Sequence, residues 1–246
     1  MRGDANSLAP TADLTLPAGN RLLDSLTVTK RSRIAIGVDE VSLQLREPLC
    51  ESGDRIDSVY FPLDSVVSLL TRAEGTPGVE IATIGNEGLV GVSLSWGADR
   101  LNPAEFFQVQ VPGRALRLDA ELFSRELSYG DGLSRIVQRY TQAFVSQLSQ
   151  QVACNGLHLI EERCARWMLL THDRVGADEF PLTQAFLAQM LGVRRASVTV
   201  VAWMLQQAGF IRYYRGHVLV TDREGLENAS CECYRVLREV FDRLLP

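Results

Sequence analysis

Between Gly19 and about Leu118 the apolar residues come in short runs broken by turn formers at regular intervals. The segment "PLCESGDRIDSVYFPLDSVVSLL" groups apolar and β-branched residues around Ser52-Gly53-Asp54 and Pro62, and "GVEIATIGNEGLVGVSL" sets Val79, Ile81 and Ile84 before a glycine-rich bend. In "FFQVQVPGRALRLD", Phe107, Val109 and Val111 alternate with polar residues, and Pro112-Gly113 predicts a turn that brings the chain back as a hairpin. Alternation buries one face of a strand, and many closely spaced short strands favour a sandwich or barrel over a βαβ sheet. "GNRLLDSL", just ahead, reads as a short amphipathic helix.

The period changes near Ala120. Leu133, Ile136, Val137, Tyr140, Phe144, Leu148 and Val152 recur every three or four residues in a stretch without proline, which predicts one long helix with an apolar stripe. Arg135, Gln138, Arg139, Gln142, Gln147 and Gln150 make its polar face. Such a stripe can pack on the chain's own strands or against a second copy. A helix linking two domains hides its whole stripe in one of them with difficulty, so the dimer seam is the favoured expectation. Asn155-Gly156 predicts the helix end and a domain boundary. "LIEERCARWMLLTHDRV" then reads as a helix with Leu159, Ile160, Cys164, Trp167, Met168 and Leu170 mostly inward, and "DREGLENASCECYRVLREVFDRLL" as one final amphipathic helix.

Between these lies "LTQAFLAQMLGVRRASVTVVAWMLQQAGFI". Thr183 suits an N-cap, Phe186, Leu187, Met190 and Leu191 form a buried face, and Gly192 suits a tight turn. A second helix follows, with Val198, Val201, Ala202 and Leu205 inward and an end at Gly209. This is the organisation of a helix-turn-helix, and its exposed positions, Arg194, Arg195, Ser197 and Thr199, fall at the start of the second helix. "FIRYYRGHVLVTD" predicts a hairpin wing with Arg215-Gly216 at its tip and Arg212, Tyr214, Arg215 and His217 beside phosphates.

Charge sharpens this picture. The chain carries −5 overall, yet the 42 residues from Phe180 to Thr221 hold four arginines and no Asp or Glu, so this window is +4 and the rest is −9. A carboxylate here would repel phosphates and forfeit the counterion release that drives DNA affinity. A hydrophobic share of 46% and a charged share of 22% over 246 residues fit a soluble globular protein of one large or two ordinary domains. No apolar run approaches the roughly 20 residues that span a bilayer, and the N-terminus lacks a secretory pattern, which predicts a cytoplasmic protein.

The five cysteines are odd in number and widely scattered, which predicts reduced thiols. Cys231-x-Cys233 is too close for an ordinary metal or redox pair, so neither metal nor cofactor is expected. His158, His172 and His217 read as surface or capping residues. Paired carboxylates, a nucleophile elbow, a Walker loop and a metal-spaced His/Cys set are all missing from the pattern, so catalysis is not expected.

Both halves, in this order, resemble the Crp/Fnr family of transcription regulators. The resemblance runs through "LCESGDRIDSVYFPLDSVVSLL", "GNEGLVGVSL" and the helix-turn-helix stretch. It implies an α+β chain: a flexible arm over residues 1–18, a cyclic-nucleotide-binding-type β-barrel (jelly roll) over 19–130, a dimerisation helix over 131–154 and a winged helix-turn-helix over 155–246. It further implies a homodimer on pseudo-palindromic double-stranded DNA that acts on RNA polymerase. Thr183 and Gln184 resemble phosphate contacts, Arg195 the base-reading arginine and Ser197 a backbone-contacting hydroxyl. Ala196 stands where a Glu is frequent, Val200 at another base-reading place and Arg194 at the usual capping Ser, so the operator is not inherited from well-known members.

The effector pocket departs further. Gly91-Val92 replaces a ribose-gripping Gly-Glu, and Ala104-Glu105 replaces the Arg-Ser that holds a cyclic phosphate, which predicts no cyclic-AMP binding. Glu87 and Arg100 read as surface-loop residues rather than replacements. A ligand-sensing module that acts through partner proteins is the competing function.

Overall fold

The computed structural model describes residues 16–245, so all but the last three positions of the expected N-terminal arm lie outside the described residues. Buried Asn20 caps α1 (Arg21–Asp24) by accepting from the Leu22 and Leu23 amides, and its own amide donates to the Pro62 and Gly88 carbonyls. The predicted short helix is therefore fastened to the strand-rich half by one polar side chain. A second helix, α2 (Val28–Ala35), was not legible in the pattern.

Seven strands follow: β1 (Val38–Leu43), β2 (Pro48–Cys50), β3 (Ser58–Pro62), β4 (Val66–Thr71), β5 (Val79–Ile84), β6 (Glu105–Val111) and β7 (Gly113–Asp119). They form two antiparallel sheets, ordered β1-β7-β3 and β2-β6-β4-β5. The expected barrel is thus an open two-sheet arrangement rather than a closed cylinder. The expected β6–β7 hairpin does not form either. Val111 pairs with Val66 in one sheet and Gly113 with Leu43 in the other, so Pro112 carries the chain between layers. Phe61, Leu69, Ile84, Phe107, Val109 and Leu116 belong to the core of this half.

After α3 (Ala120–Ser128), α4 runs from Gly132 to Leu157, straight through Asn155-Gly156. A glycine in a helix costs about 1 kcal/mol, which does not break a helix bonded as far as His158 N to Cys154 O at 3.2 Å. The break comes at His158, which has extended backbone and leads into α5 (Ile160–Val175).

The predicted stripe on α4 faces inward as far as Phe144, whereas Val152, its last member, is exposed. Leu133, Ile136, Val137, Tyr140 and Phe144 are buried in the core of their own chain, and Leu148 packs half-buried beside them. The Tyr140 hydroxyl donates to Leu89 O at 3.3 Å, and a Cβ at Gly88 would sit 2.6 Å from the Tyr140 ring. Gly88 is needed there because the glycine bend and the helix touch backbone to ring. The favoured seam is therefore overturned for the five buried residues, which are already spent on intramolecular packing, while Leu148 keeps part of its surface outward.

The remaining elements are β8 (Glu179–Pro181), α6 (Gln184–Leu191), α7 (Arg195–Gln207), β9 (Ile211–Tyr214), β10 (His217–Val220), α8 (Arg223–Asn228) and α9 (Cys233–Leu244). A third sheet has the order β8-β10-β9. The final helix is split in two by Ser230-Cys231-Glu232. α5 docks on the strand-rich half through buried polar groups. Gln110 donates to Thr171 at 2.7 Å, and Arg174 meets Glu87 at 2.8 Å with both side chains buried. Glu87 is therefore no surface-loop residue, whereas Arg100 is exposed as expected.

Candidate nucleic-acid interface

Thr183 begins the candidate site as the N-cap of α6, its hydroxyl accepting from Phe186 N at 3.2 Å. Phe186, Leu187, Met190 and Leu191 are buried, which leaves the opposite face of α6 to solvent. Gly192 ends the helix with a left-handed backbone, φ 65°, and α7 leaves at 110° to α6. That angle belongs to helix-turn-helix elbows. Gln184 is half-buried and its amide oxygen accepts from Thr199 at 2.7 Å, so the two helices are pinned near the turn.

Arg194 caps α7 without a side-chain hydrogen bond, consistent with its standing where a capping Ser is usual. The first N–H groups of α7 therefore face outward with partial positive charge. Arg194, Arg195 and Thr199 are exposed and Ser197 is half-buried. Further along the same helix, Val200, Trp203 and Met204 are exposed, Trp203 at 60%. Trp203 and Met204 were missed in the sequence because the inward set explained the helix; their place three and four residues beyond Val200 was the available signal.

The wing forms as predicted. β9 and β10 pair from His217↔Tyr214 to Val220↔Ile211, with Arg215 and Gly216 as the two turn residues at φ 46° and 80°. Arg212, Tyr214 and Arg215 are exposed, and Tyr214 stacks on half-exposed His217 with ring centres 6.3 Å apart. Among the described residues no carboxylate lies within 4.0 Å of Arg194, Arg195, Arg212 or Arg215. The acid-free window is not wholly isolated, however. β8 lays Glu179 opposite Leu219, and its carboxylate approaches His217 Nδ1 at 3.3 Å. A hydrogen bond to the same Glu179 pushes the Tyr214 phenol up.

The four pocket positions do not make an ionic cradle. Gly91 adopts φ 91° before a short 3-10 turn (Val92–Trp96), and Val92 is buried in the core. Ala104 O accepts from Arg72 N at 2.9 Å, and Glu105 pairs with Thr71 at the start of β6. Burial alone raises the Glu105 carboxyl above the usual range, so no neighbouring cation holds it down.

Three thiols depart from the expected scatter. Cys154, Cys231 and Cys233 are buried together, with His158 at the end of α4 beside them. Cys50 and Cys164 lie apart, and burial pushes the Cys164 thiol up to about 12. His158 stands at the C-cap position of α4 through its backbone, and its ring lies beside Cys233 and Glu232 rather than in solvent. Among the described residues no single helix is long and apolar enough to cross a membrane.

Residues 162–229 match the family described as the Crp-like helix-turn-helix domain. No curated protein matches the chain significantly. Its fold is similar to that of FixK2 from Bradyrhizobium japonicum (13% identity, TM-score 0.67, covering 79% of this chain and 98% of that one). It is also similar to CLP of Xanthomonas campestris, described as c-di-GMP responsive (14% identity, TM-score 0.61, 79% and 99% covered). TTHA1359 of Thermus thermophilus, a Crp/Fnr-family regulator, shares the fold as well (19% identity, TM-score 0.57, 78% and 98% covered).

Proposed function

We propose that this chain is a DNA-binding transcription regulator of the Crp/Fnr type that reads a specific operator as a homodimer without responding to cyclic AMP; the Crp-like helix-turn-helix match over residues 162–229 and the fold it shares with FixK2 and TTHA1359 support this reading. One observation carries the reading. Arg194 and Arg195 stand exposed at the start of α7, with Arg212 and Arg215 on the adjacent wing.

Arg195 reads a base edge, where its fork suits guanine O6 and N7. Thr183, Gln184, Arg194, Ser197, Thr199, Arg212, Tyr214, Arg215 and His217 contact the phosphodiester backbone or adjoining base edges. Ala196 and Val200 give the reading face an apolar side that suits thymine methyl groups.

The dimer seam in this reading is the outer face of α4, not its buried stripe. Gln138, Thr141, Val145, Leu148, Val152 and Asn155 fall at alternating steps of three and four residues, the spacing of a two-helix coiled coil. Val145 and Val152 are exposed at 48% and 75%, which supports a partner helix there. Two reading heads related by such a twofold would meet a pseudo-palindrome with half-sites about 34 Å apart. The domain roles follow: sensor over residues 19–130, dimer helix from 131 and winged helix-turn-helix to 246. Cytoplasmic placement and RNA polymerase as a further partner go with this regulator class.

Val92 and Glu105 support the absence of a cyclic-AMP response. Glu105 would face a cyclic phosphate without a cation, and Val92 offers no hydrogen bond to a ribose. Fluorescence anisotropy with genomic fragments at several salt concentrations tests the whole reading. Sequence-specific complexes that weaken with salt are expected; no fragment bound above background at any salt would end it.

A further inference from the structure

Cys154 closes the last turn of α4, His158 caps the same helix four residues on, and Cys231 and Cys233 flank Glu232 immediately before and at the start of α9. One ligand atom from each of Cys154, His158, Cys231 and Cys233 lies within 4.8 Å of every other. Cys154 Sγ is 3.5 Å from Cys231 Sγ, and Cys233 Sγ is 3.5 Å from His158 Nδ1. Zinc bonds of about 2.3 Å to sulfur and 2.0 Å to nitrogen set tetrahedral edges of roughly 3.5–3.8 Å. Two of the six separations already have that length, and the other four are no longer than 4.8 Å. We infer that Cys154, His158, Cys231 and Cys233 form a closed structural site for a zinc-type divalent ion.

The surroundings favour a metal over mere thiol packing. The other ring nitrogen, His158 Nε2, lies 3.2 Å from Glu232 Oε1, so a carboxylate fixes the tautomer that presents Nδ1. Gln150 donates its amide to Cys233 Sγ at 3.0 Å, an N–H···S bond of the kind that steadies a ligating thiolate. All three cysteines are buried, and four protein ligands leave no open coordination position, which marks a structural rather than a catalytic ion.

Charge supplies an independent reason. A divalent ion with three thiolates and a neutral imidazole carries net −1, and three thiol protons leave on binding. Such a centre needs a nearby cation in a dry interior. Arg166, only 2% exposed on α5, acts electrostatically on both Cys154 and Cys231. Its Nη2 donates to Gln151 at 2.5 Å, while its Nε has no hydrogen-bond partner and no carboxylate lies within 4.0 Å of its guanidinium among the described residues. A buried guanidinium without a salt-bridged carboxylate, its charge felt also by Glu80, gains a counter-charge from the metal–thiolate centre.

The ion would tie the end of α4 to the start of α9 at the bend where α5 departs toward the DNA-reading half. Nothing in this assignment depends on which DNA is read. The test is metal analysis of the full-length protein purified under reducing conditions without chelator. Close to one equivalent of zinc per chain is expected, retained in Cys50→Ser and Cys164→Ser and lost in Cys154→Ser and Cys231→Ser.

Should the last two variants fail to fold, cobalt added to the metal-free wild type gives the answer. Tetrahedral thiolate absorption is expected, and it shifts in folded His158→Cys as a fourth sulfur replaces nitrogen. Protein without stoichiometric metal that develops no cobalt–thiolate band would overturn the site. A chain 2 Da lighter from a Cys154–Cys231 disulfide, the outcome their separation otherwise suits, would overturn it equally.

Discussion

The indole N–H of Trp167 donates to Glu80 Oε1 at 2.8 Å, joining α5 to β5 inside the junction between the two halves of the chain. Glu80 Oε2 lies 2.5 Å from the Ser68 hydroxyl, which also faces Gln110 Oε1 at 3.0 Å. One hydroxyl proton cannot serve two acceptors. A protonated Glu80 resolves this by donating to Ser68, which then donates to Gln110, whose amide reaches Thr171 on α5. Burial, the largest influence, raises the Glu80 carboxyl above its ordinary value of 4.5 despite its hydrogen bonds with Ser68, Thr83 and Trp167 and the charge of Arg166.

The sign of the pH effect follows. The folded chain holds a proton that the unfolded chain releases, so this contribution to stability is fully present below the ordinary carboxylate value. It is lost as pH rises through the higher folded value. Denaturant unfolding at stepped pH from about 4 upward should show this decline in the wild type. Glu80→Gln, neutral throughout, should flatten it. Equal pH profiles for the two proteins would mean that Glu80 is charged at the junction.

Arg195 and Arg215 should fail differently. Arg195→Ala is expected to cost about 1–3 kcal/mol on the best operator and to relax base preference, as loss of a bidentate base contact does. Arg215→Ala should weaken all sequences alike and reduce the salt slope by roughly 0.9. Anisotropy titrations on matched and scrambled sites at several salt concentrations separate the two. A uniform loss for Arg195→Ala would make it a phosphate contact.

The two faces of α4 give a contrast between neighbours. Val145 points outward and Phe144 inward. Val145→Asp should split the dimer, seen by sedimentation velocity, while the monomer keeps its helical content. Phe144→Ala should instead cost about 3–5 kcal/mol of stability by leaving a cavity. A dimer unmoved by Val145→Asp and Val152→Asp together would place the seam elsewhere.

These residues also show where the sequence was readable. The spacing of Leu133 to Phe144 identified the helix and its apolar face, but periodicity names a buried face without naming what buries it. Phe186, Gly192 and Val198 made the elbow legible because local spacing, turn chemistry and burial agree there. Pairing partners were less accessible. Pro112-Gly113 looks like a hairpin turn, and only the long-range pairing of Gly113 with Leu43 reveals a crossing between sheets. Glu87 and Cys154 were misjudged for the same reason, since Arg174 and Cys231, their partners, are 87 and 77 residues away.

Glu87 and Arg174 form a buried pair, 2.8 Å apart, between the glycine bend and α5. Glu87→Ala should destabilise the protein by about 3–5 kcal/mol, because it strands a guanidinium away from water. Removing both charges, Glu87→Leu with Arg174→Met, should recover much of that loss, since the pair's desolvation cost goes with it. Urea unfolding of the single and double variants measures the difference. A double variant as weak as the single would mean that Arg174 acts mainly through Leu170 O and Thr83 O, its other acceptors.

Glu179 sits one residue outside the acid-free window, yet its carboxylate lies against His217 and Tyr214 on the wing. If the wing meets phosphates, this is the acid nearest to them, and neutralising it should tighten binding. The side chain is 45% exposed, so screening by water and salt limits the gain. Glu179→Gln is therefore expected to improve operator affinity by about 0.2–1 kcal/mol, the range of exposed ion pairs, and by less as salt rises. Anisotropy at low and physiological salt measures it. Weaker binding by the variant would show instead that Glu179 positions the His217 ring for its contact, and that the wing works through geometry before charge.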